Sequence, residues 1–319
     1  MKRFLKFAIL ALLLPAFIIT GCKKAEDDTV DTQSFETLKA YLIANNLDIP
    51  TVLTNWVVDA KTIVDSSDYS IPGYYVLDIR SAADFALGHI NGAVNTTLAN
   101  ILTAAQGHGT KPILVVCYTG QTAAFGCVAL RLSGYADAKI LKWGMSCWNP
   151  SFDKWTSSTS SSAIGNSNWV TTTVASNVQY NDPTFTTTAT DGAAILAERV
   201  TAMLATGFAN VTNAEVLASP SSYFINNYWP VDTTSKYGHI SSAYRILPLS
   251  LAGGEYKYYD PSKTCVTYCY TGQTSSMVSA YMNVLGYNAK TLKFGTNSLI
   301  YSEMESNKWK SSYNYPVVQ

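Results

Sequence analysis

The sequence is poor in charge. Only 14% of its 319 residues are Asp, Glu, Lys or Arg, and 22 basic residues balance 22 acidic ones. A chain with no net charge offers no electrostatic footprint for nucleic acid, and that class of partner is excluded. Histidine is scarce: His89, His108 and His239 are scattered, and three such residues make no metal site. Nothing else in the sequence asks for a cofactor. Long apolar runs are missing too. The apolar stretch at residues 7–19 is too short to cross a bilayer comfortably. Cysteine is sparse, with six in the chain, so each one has to be accounted for.

What is present is apolar. Hydrophobic residues make up 47% of the chain, enough for real cores, and the length suits two domains of ordinary size. The N-terminus reads as a processing segment. Lys2, Arg3 and Lys6 precede the apolar stretch, which ends Ile18-Ile19-Thr20-Gly21-Cys22. This order resembles a bacterial lipobox, in which Cys22 is lipidated and becomes the mature N-terminus. Acyl chains would then hold an otherwise soluble protein at a membrane surface. The expectation is a cell-envelope protein facing the periplasm or exterior, with Lys23 leaning towards the outer membrane by analogy. The rival is a plain secretory signal in which Cys22 is incidental.

One six-residue stretch occurs twice. Cys117-Tyr118-Thr119-Gly120-Gln121-Thr122 closes the apolar run Pro112-Ile113-Leu114-Val115-Val116, and Cys269-Tyr270-Thr271-Gly272-Gln273-Thr274 closes Cys265-Val266-Thr267-Tyr268. Each run reads as a buried strand, and each hexamer is followed by a helical pattern. A loop wound over a helix N-terminus aims N–H groups inward, and the dipole adds positive potential. A cysteine heading such a loop is expected as a thiolate of depressed pKa. The glycine lets the backbone turn, and Thr and Gln supply neutral donors. The bland alternative is a buried structural cysteine at a strand end. Two identical hexamers tilt the balance to function.

The other cysteines read as structural. Cys265 and Cys269 lie about 13 Å apart along one strand, too far to pair. Cys127, Cys147 and Cys265 have no assigned role, and a disulfide between distant partners stays open.

Strands alternate with helices, which argues an α/β fold with a parallel sheet. The second half replays the first. Gly238-His239-Ile240 follows Gly88-His89-Ile90, Gly286-Tyr287 follows Gly134-Tyr135, and Leu292-Lys293-Phe294-Gly295 follows Leu141-Lys142-Trp143-Gly144, all at an offset of about 150 residues. The expected organisation is a signal peptide at 1–22, a tether at 23–33, a first domain at 34–156, a Ser/Thr-rich, poorly packed linker at 157–190, and a more divergent second domain at 191–319.

Leu77-Asp78-Ile79-Arg80, Asp84-Phe85, Gly88-His89-Ile90-Asn91-Gly92-Ala93-Val94-Asn95, the Cys117 loop and Gly134-Tyr135 together resemble the rhodanese, or sulfurtransferase, family. The resemblance implies two parallel sheets, each flanked by helices on both sides, with a cysteine loop at a strand's C-terminal end. It implies a persulfide on Cys117 and Cys269, a small sulfur donor and a thiol or other thiophilic acceptor. Sulfur and selenium are not separated by sequence. Asp78 and Arg80 would support the first site, as a structural salt bridge or with a catalytic role. His89 and His239 would hold turns.

The sequence departs from the family in two ways. Neither hexamer contains the Arg or Lys with which many members hold an anionic donor, which puts thiosulfate in doubt. The second copy has Phe224-Ile225-Asn226-Asn227-Tyr228-Trp229 where the Asp78/Arg80 pair is expected, leaving Arg245 as a cation without a place. A phosphatase or arsenate reductase would need a longer loop ending in Arg. The rival to an enzyme is a non-catalytic binding module of an envelope complex; the 21 tyrosines and 7 tryptophans would serve a partner-binding face as well as an exported surface.

Overall fold

The computed structural model describes residues 32–319. The expected signal segment, Cys22 and most of the expected tether lie outside the described residues. Among the described residues, no helix is long and apolar enough to cross a membrane.

Short β-branched runs make the strands. The first sheet comprises β1 (Val57–Val58), β2 (Tyr75–Asp78), β3 (Val94–Asn95), β4 (Ile113–Val116) and β5 (Lys139–Leu141), in the order β1-β5-β4-β2-β3, with every pair parallel. A two-stranded ribbon joins β6 (Trp169–Val170) antiparallel to β9 (His239–Ile240). The second sheet contains β7 (Asn210–Val211), β8 (Phe224–Asn227), β10 (Ala243–Tyr244), β11 (Cys265–Tyr268) and β12 (Ala289–Leu292). Read from the matching edge, its order is β7-β12-β11-β8-β10, again all parallel. Position for position the two sheets are the same, so the expected α/β repeat is present. The cysteine loops follow the central strands β4 and β11.

Parallel strands covered on both faces should be apolar throughout, and β4 is fully buried. Its side chains alternate. Ile113 and Val115 enter one core, while Leu114 and Val116 enter another with Trp143, Trp148 and Trp309. In β11, Cys265 faces the same core as Ile113, and Val266 and Tyr268 face a third. The first core is therefore common to both repeats.

Four helices fill that common core: α1 (Thr32–Ala44), α2 (Gln121–Leu132), α3 (Gly192–Thr206) and α4 (Gln273–Leu285). Helix α2 is buried at every position except Thr122, and α4 nearly so. A helix apolar or small on all sides must lie between two partners. Here α2 and α4 lie against each other, between the two sheets.

The ends of the chain cross over. Helix α1 precedes the first repeat yet packs on α3 and α4 of the second. Phe35 meets Tyr256, and Asp48 accepts the backbone N–H groups of Leu251 at 2.8 Å and Ala252 at 3.0 Å. Residues 304–318 run back over the first repeat. There Trp148 Nε1 donates to Pro316 at 2.8 Å, Asn149 donates to Tyr315 at 2.8 Å, and His89 pairs with Val318. Helix α1 and residues 304–318 thus each pack on the repeat more distant in sequence. Within the segment at 157–190, Ala163 is fully buried and bonds to the Leu299 carbonyl, and β6 lies in the ribbon. Apolar residues spaced through its Ser/Thr-rich sequence seat it on the second repeat.

All five described cysteines are free, so the possibility of a disulfide among Cys127, Cys147 and Cys265 is closed. These three donate to backbone carbonyls: Cys127 to Ala138, Cys147 to Lys142 and Cys265 to Asp260.

Burial raises the Cys127, Cys147 and Cys265 thiols and the Tyr259, Tyr268, Tyr281 and Tyr287 phenols above their ordinary values. An unfolded chain releases these protons at about pH 8.5 and about pH 10, respectively. The folded chain retains them, so stability is unaffected below the unfolded values and falls as pH rises through them. The expected result is a urea midpoint flat to about pH 8, declining above about 8.5 and more steeply above about 10. A midpoint still flat at about pH 10.5 would contradict the burial of these groups.

Candidate active site

Each hexamer begins where a strand leaves the sheet and ends in the first turn of a helix. Gly120 (φ +80°) and Gly272 (φ +73°) stand at the turn in the left-handed region, which a Cβ would strain. The backbone then folds back over the cysteine. Gly120 N–H donates to Cys117 Sγ at 3.2 Å and Ala123 N–H at 3.3 Å.

A second dipeptide holds each loop from behind. Trp143-Gly144 and Phe294-Gly295 occupy equivalent places, with Trp143 and Phe294 themselves at positive φ. A Cβ on Gly144 would strike the Cys117 carbonyl, and one on Gly295 the Cys269 carbonyl. The backbone beyond bonds to the loops: Met145 N–H to the Cys117 carbonyl at 2.8 Å, and Thr296 N–H to that of Cys269 at 3.0 Å. This buttress carries no chemistry of its own. Its only sequence signal is the repeated aromatic-glycine pair at the constant offset.

The first thiol does not match the expected low pKa. Cys117 is 5% exposed. Burial pushes its thiol up, the N–H groups of Ala123, Thr119 and Gly120 pull it down, and the Asp78 carboxylate pushes it up again. Desolvation outweighs the cradle. The Thr and Gln side chains do not donate to the sulfur as expected. Thr119 Oγ1 accepts from the Gln121 amide at 3.1 Å, and Gln121 Oε1 accepts from the Phe294 N–H at 2.7 Å. Gln273 Nε2 reaches the Thr119 carbonyl at 2.9 Å. The amides expected to line two separate sites instead cross between them.

Asp78 and Arg80 form a buried ion pair at 2.6 Å. Arg80 also donates to the Gly88 carbonyl at 2.8 Å, and its guanidinium lies over Tyr118 and Phe152. The pair fixes the end of β2 and the loop tyrosine. Tyr118 is raised to about 12 by burial and by its bond to Asp84.

The second site is built differently. Cys269 is 3% exposed, and its sulfur bonds only with Ser275, accepting its N–H at 3.4 Å and meeting its hydroxyl at 3.5 Å. Ser275 in turn meets Thr291 at 2.6 Å. Asn227 stands where Asp78 stands, and Trp229 packs on Tyr270 as Arg80 packs on Tyr118. Thr271 Oγ1 accepts its own loop's Gln273 N–H, Tyr270 meets Thr233, and Thr274 is half-buried. Arg245 does not serve this loop, since it bonds to the Trp229 and Leu247 carbonyls and lines another cavity.

A cleft of about 360 Å³ lies between the repeats, lined by Thr119, Gln121, Thr122, Lys154, Lys293 and Phe294 among others. Its two lysines come from outside the hexamers, so no loop motif discloses them. A larger cavity of about 500 Å³ lies at the N-terminal ends of β2, β4 and β5. Ligands of parallel sheets bind at the carboxyl ends, where the cysteines are, so the smaller cleft is the candidate, and it is lined by loop residues rather than by either cysteine. Among the described residues no cluster could hold a metal ion. His89 bonds to the Phe85 carbonyl, His239 to those of Ile240 and Thr172, and His108 to that of Lys111.

A model of the rhodanese-like domain matches residues 58–151, from β1 past the Cys117 loop. The thiosulfate sulfurtransferase GlpE of Pseudomonas aeruginosa is 33% identical over 89 residues, 27% of this chain and 79% of that protein. The chain belongs to the rhodanese family. The GlpE of Pseudomonas fluorescens is 32% identical over 83 residues, 25% of this chain and 74% of that one. Among solved structures, 3-mercaptopyruvate sulfurtransferase from Leishmania major aligns at 12% identity with a TM-score of 0.28, covering 76% of this chain and 72% of that one. The rhodanese match contains Cys117, Asp78 and Arg80. The second repeat lies outside it and shares the sheet order and the hexamer.

Donor direction separates the thiols. Backbone N–H groups point at Cys117 Sγ and would stabilise a thiolate, whereas Cys127, Cys147 and Cys265 point at carbonyls that would repel one. Iodoacetamide labelling with peptide mapping should modify Cys117 before those three. Because burial raises the Cys117 thiol, its rate should climb about tenfold per pH unit from 7 and show no plateau below about pH 9. A plateau below about pH 7 would mean that the thiolate is already held there.

Proposed function

We propose that the chain transfers sulfane sulfur through a persulfide on Cys117, with Cys269 as a second, weaker carrier. The observation that carries this reading is the pair of N–H donors aimed at Cys117 Sγ over the start of α2, in a family whose relatives include thiosulfate sulfurtransferases. With thiosulfate as donor, the Cys117 thiolate attacks the outer sulfur. A new S–S bond forms, the bond to the oxidised sulfur breaks, and sulfite leaves with the electron pair. An acceptor thiolate then attacks the outer persulfide sulfur, leaving as its own persulfide and restoring the Cys117 thiolate. N–H groups of the loop would stabilise the anionic outer sulfur. Lys154 and Lys293 supply the positive charge that the hexamers lack and would attract an anionic donor into the cleft. Selenium compounds fit the same chemistry.

The ranking of the sites follows from their surroundings. Cys117 has two N–H donors, at 3.2 and 3.3 Å, and a fixed tyrosine; Cys269 has one N–H, a hydroxyl and neutral neighbours. Misplaced or missing donors cost orders of magnitude in such chemistry. Cys117→Ser is expected to remove most turnover with thiosulfate, polysulfide or an organic persulfide, and Cys269→Ser the smaller part. Full activity in Cys117→Ser with every donor would refute the ranking. Burial of both thiols favours the rival, a binding module; full turnover in the double variant would refute transfer through these cysteines.

The lipobox-like segment supports attachment to the cell envelope through acyl chains on Cys22, with an outer-membrane location and envelope partners as extensions of the same reading. Cys22→Ser should move the protein from the membrane to the soluble fraction while the folded residues keep their melting behaviour. Retention on membranes would point to a protein partner instead.

A further inference from the structure

We propose that Gln273, in the loop of the second repeat, is a positioning residue for the first cysteine. This inference rests on the sulfur-transfer reading for its purpose, but not for its test. Gln273 is 2% exposed, and its Nε2 donates to the Thr119 carbonyl at 2.9 Å. An amide nitrogen only donates and a carbonyl only accepts, so the orientation of this side chain is determined by its partner.

The Thr119 carbonyl and the Gly120 N–H are the two ends of one planar peptide unit. That N–H is one of the two donors measured on Cys117 Sγ, at 3.2 Å. A chain of hydrogen bonds therefore runs from the Gln273 amide through the 119–120 peptide to the Cys117 sulfur. A bond to the carbonyl end fixes the tilt of the peptide and polarises its N–H, which makes it a better donor to an anion. The group that steadies the thiolate donor is supplied by the other repeat.

The reverse brace does not reach a sulfur. Gln121 Oε1 accepts from the N–H of Phe294, whose peptide carbonyl partner, on Lys293, accepts the Ser298 hydroxyl. Among the described residues the Cys269 sulfur bonds only with Ser275, outside this chain of contacts. The coupling therefore runs in one direction, from the second repeat to Cys117. The fit is close: a Cβ at Gly120 would collide with Gln273 Nε2, and one at Gly272 with Gln121 Oε1.

The test uses the full chain with Gln273→Met, which keeps the length and removes the donor. Gln273→Asn keeps an amide that is one methylene too short, and covers the case in which methionine does not fold. The readout is the pH profile of iodoacetamide labelling at Cys117, with Cys127 in the same molecule as the internal reference. Loss of the relay is expected to slow Cys117 labelling about threefold to tenfold at pH 8 and to move its profile to higher pH, with Cys127 unchanged. An unmoved Cys117 profile in a folded variant overturns the proposal. So does an equal change at both cysteines, which would report general loosening. Absence of turnover in the unmodified protein would sink the sulfur-transfer reading and leave the relay to be decided by labelling alone.

Discussion

Helices α2 and α4, both buried along almost their whole length, pack against each other. The rest of the structure depends on this contact. It sets the two sheets on either side of one core, and it brings the two hexamers, which form the starts of these helices, against each other. At that point the crossing Gln amides take the space that a side chain on Gly120 or Gly272 would need. A nucleophile buried in such a place loses more by desolvation than it gains from its donors, which is why Cys117 titrates high despite its cradle.

Much of the fold could be read from the residues. The alternation of strand and helix, the constant offset between repeats, and the Cys-headed loop all appear where periodicity and breakers placed them, because they depend on local pattern. The supports that depend on distant pairing could not be read this way. Lys154 and Lys293 reach the cleft from segments with no loop motif, and Ser275 was one more polar residue in a helix. The reason for the second hexamer was also only partly legible. Identity between the copies looks like a demand of chemistry alone. The Gly-Gln portion has a second cause, since each glutamine bonds to backbone of the other repeat, at Thr119 and at Phe294.

The two sites show how one scaffold can diverge without losing its shape. The buried pair Asp78–Arg80 anchors the first loop tyrosine through a charged plane stacked on its ring. Trp229 fills the same role against Tyr270 with an apolar plane, and Asn227 needs no counter-ion. Replacing a buried ion pair by neutral groups of similar bulk is often close to neutral for stability. The electrostatic setting of the sulfur changes more: Asp78 acts on Cys117, while Cys269 faces hydroxyls.

The crossing of the chain ends governs the order in which the molecule can be completed. Trp309, Tyr313 and Tyr315 close the outer core of the first repeat, against Trp143, Cys147 and Trp148. Translation reaches these residues only after both repeats. Until then the first repeat, although fully synthesised, carries an open aromatic face, and α1 waits for a partner helix some 150 residues downstream. The packing of both repeats is therefore completed only once these residues are made.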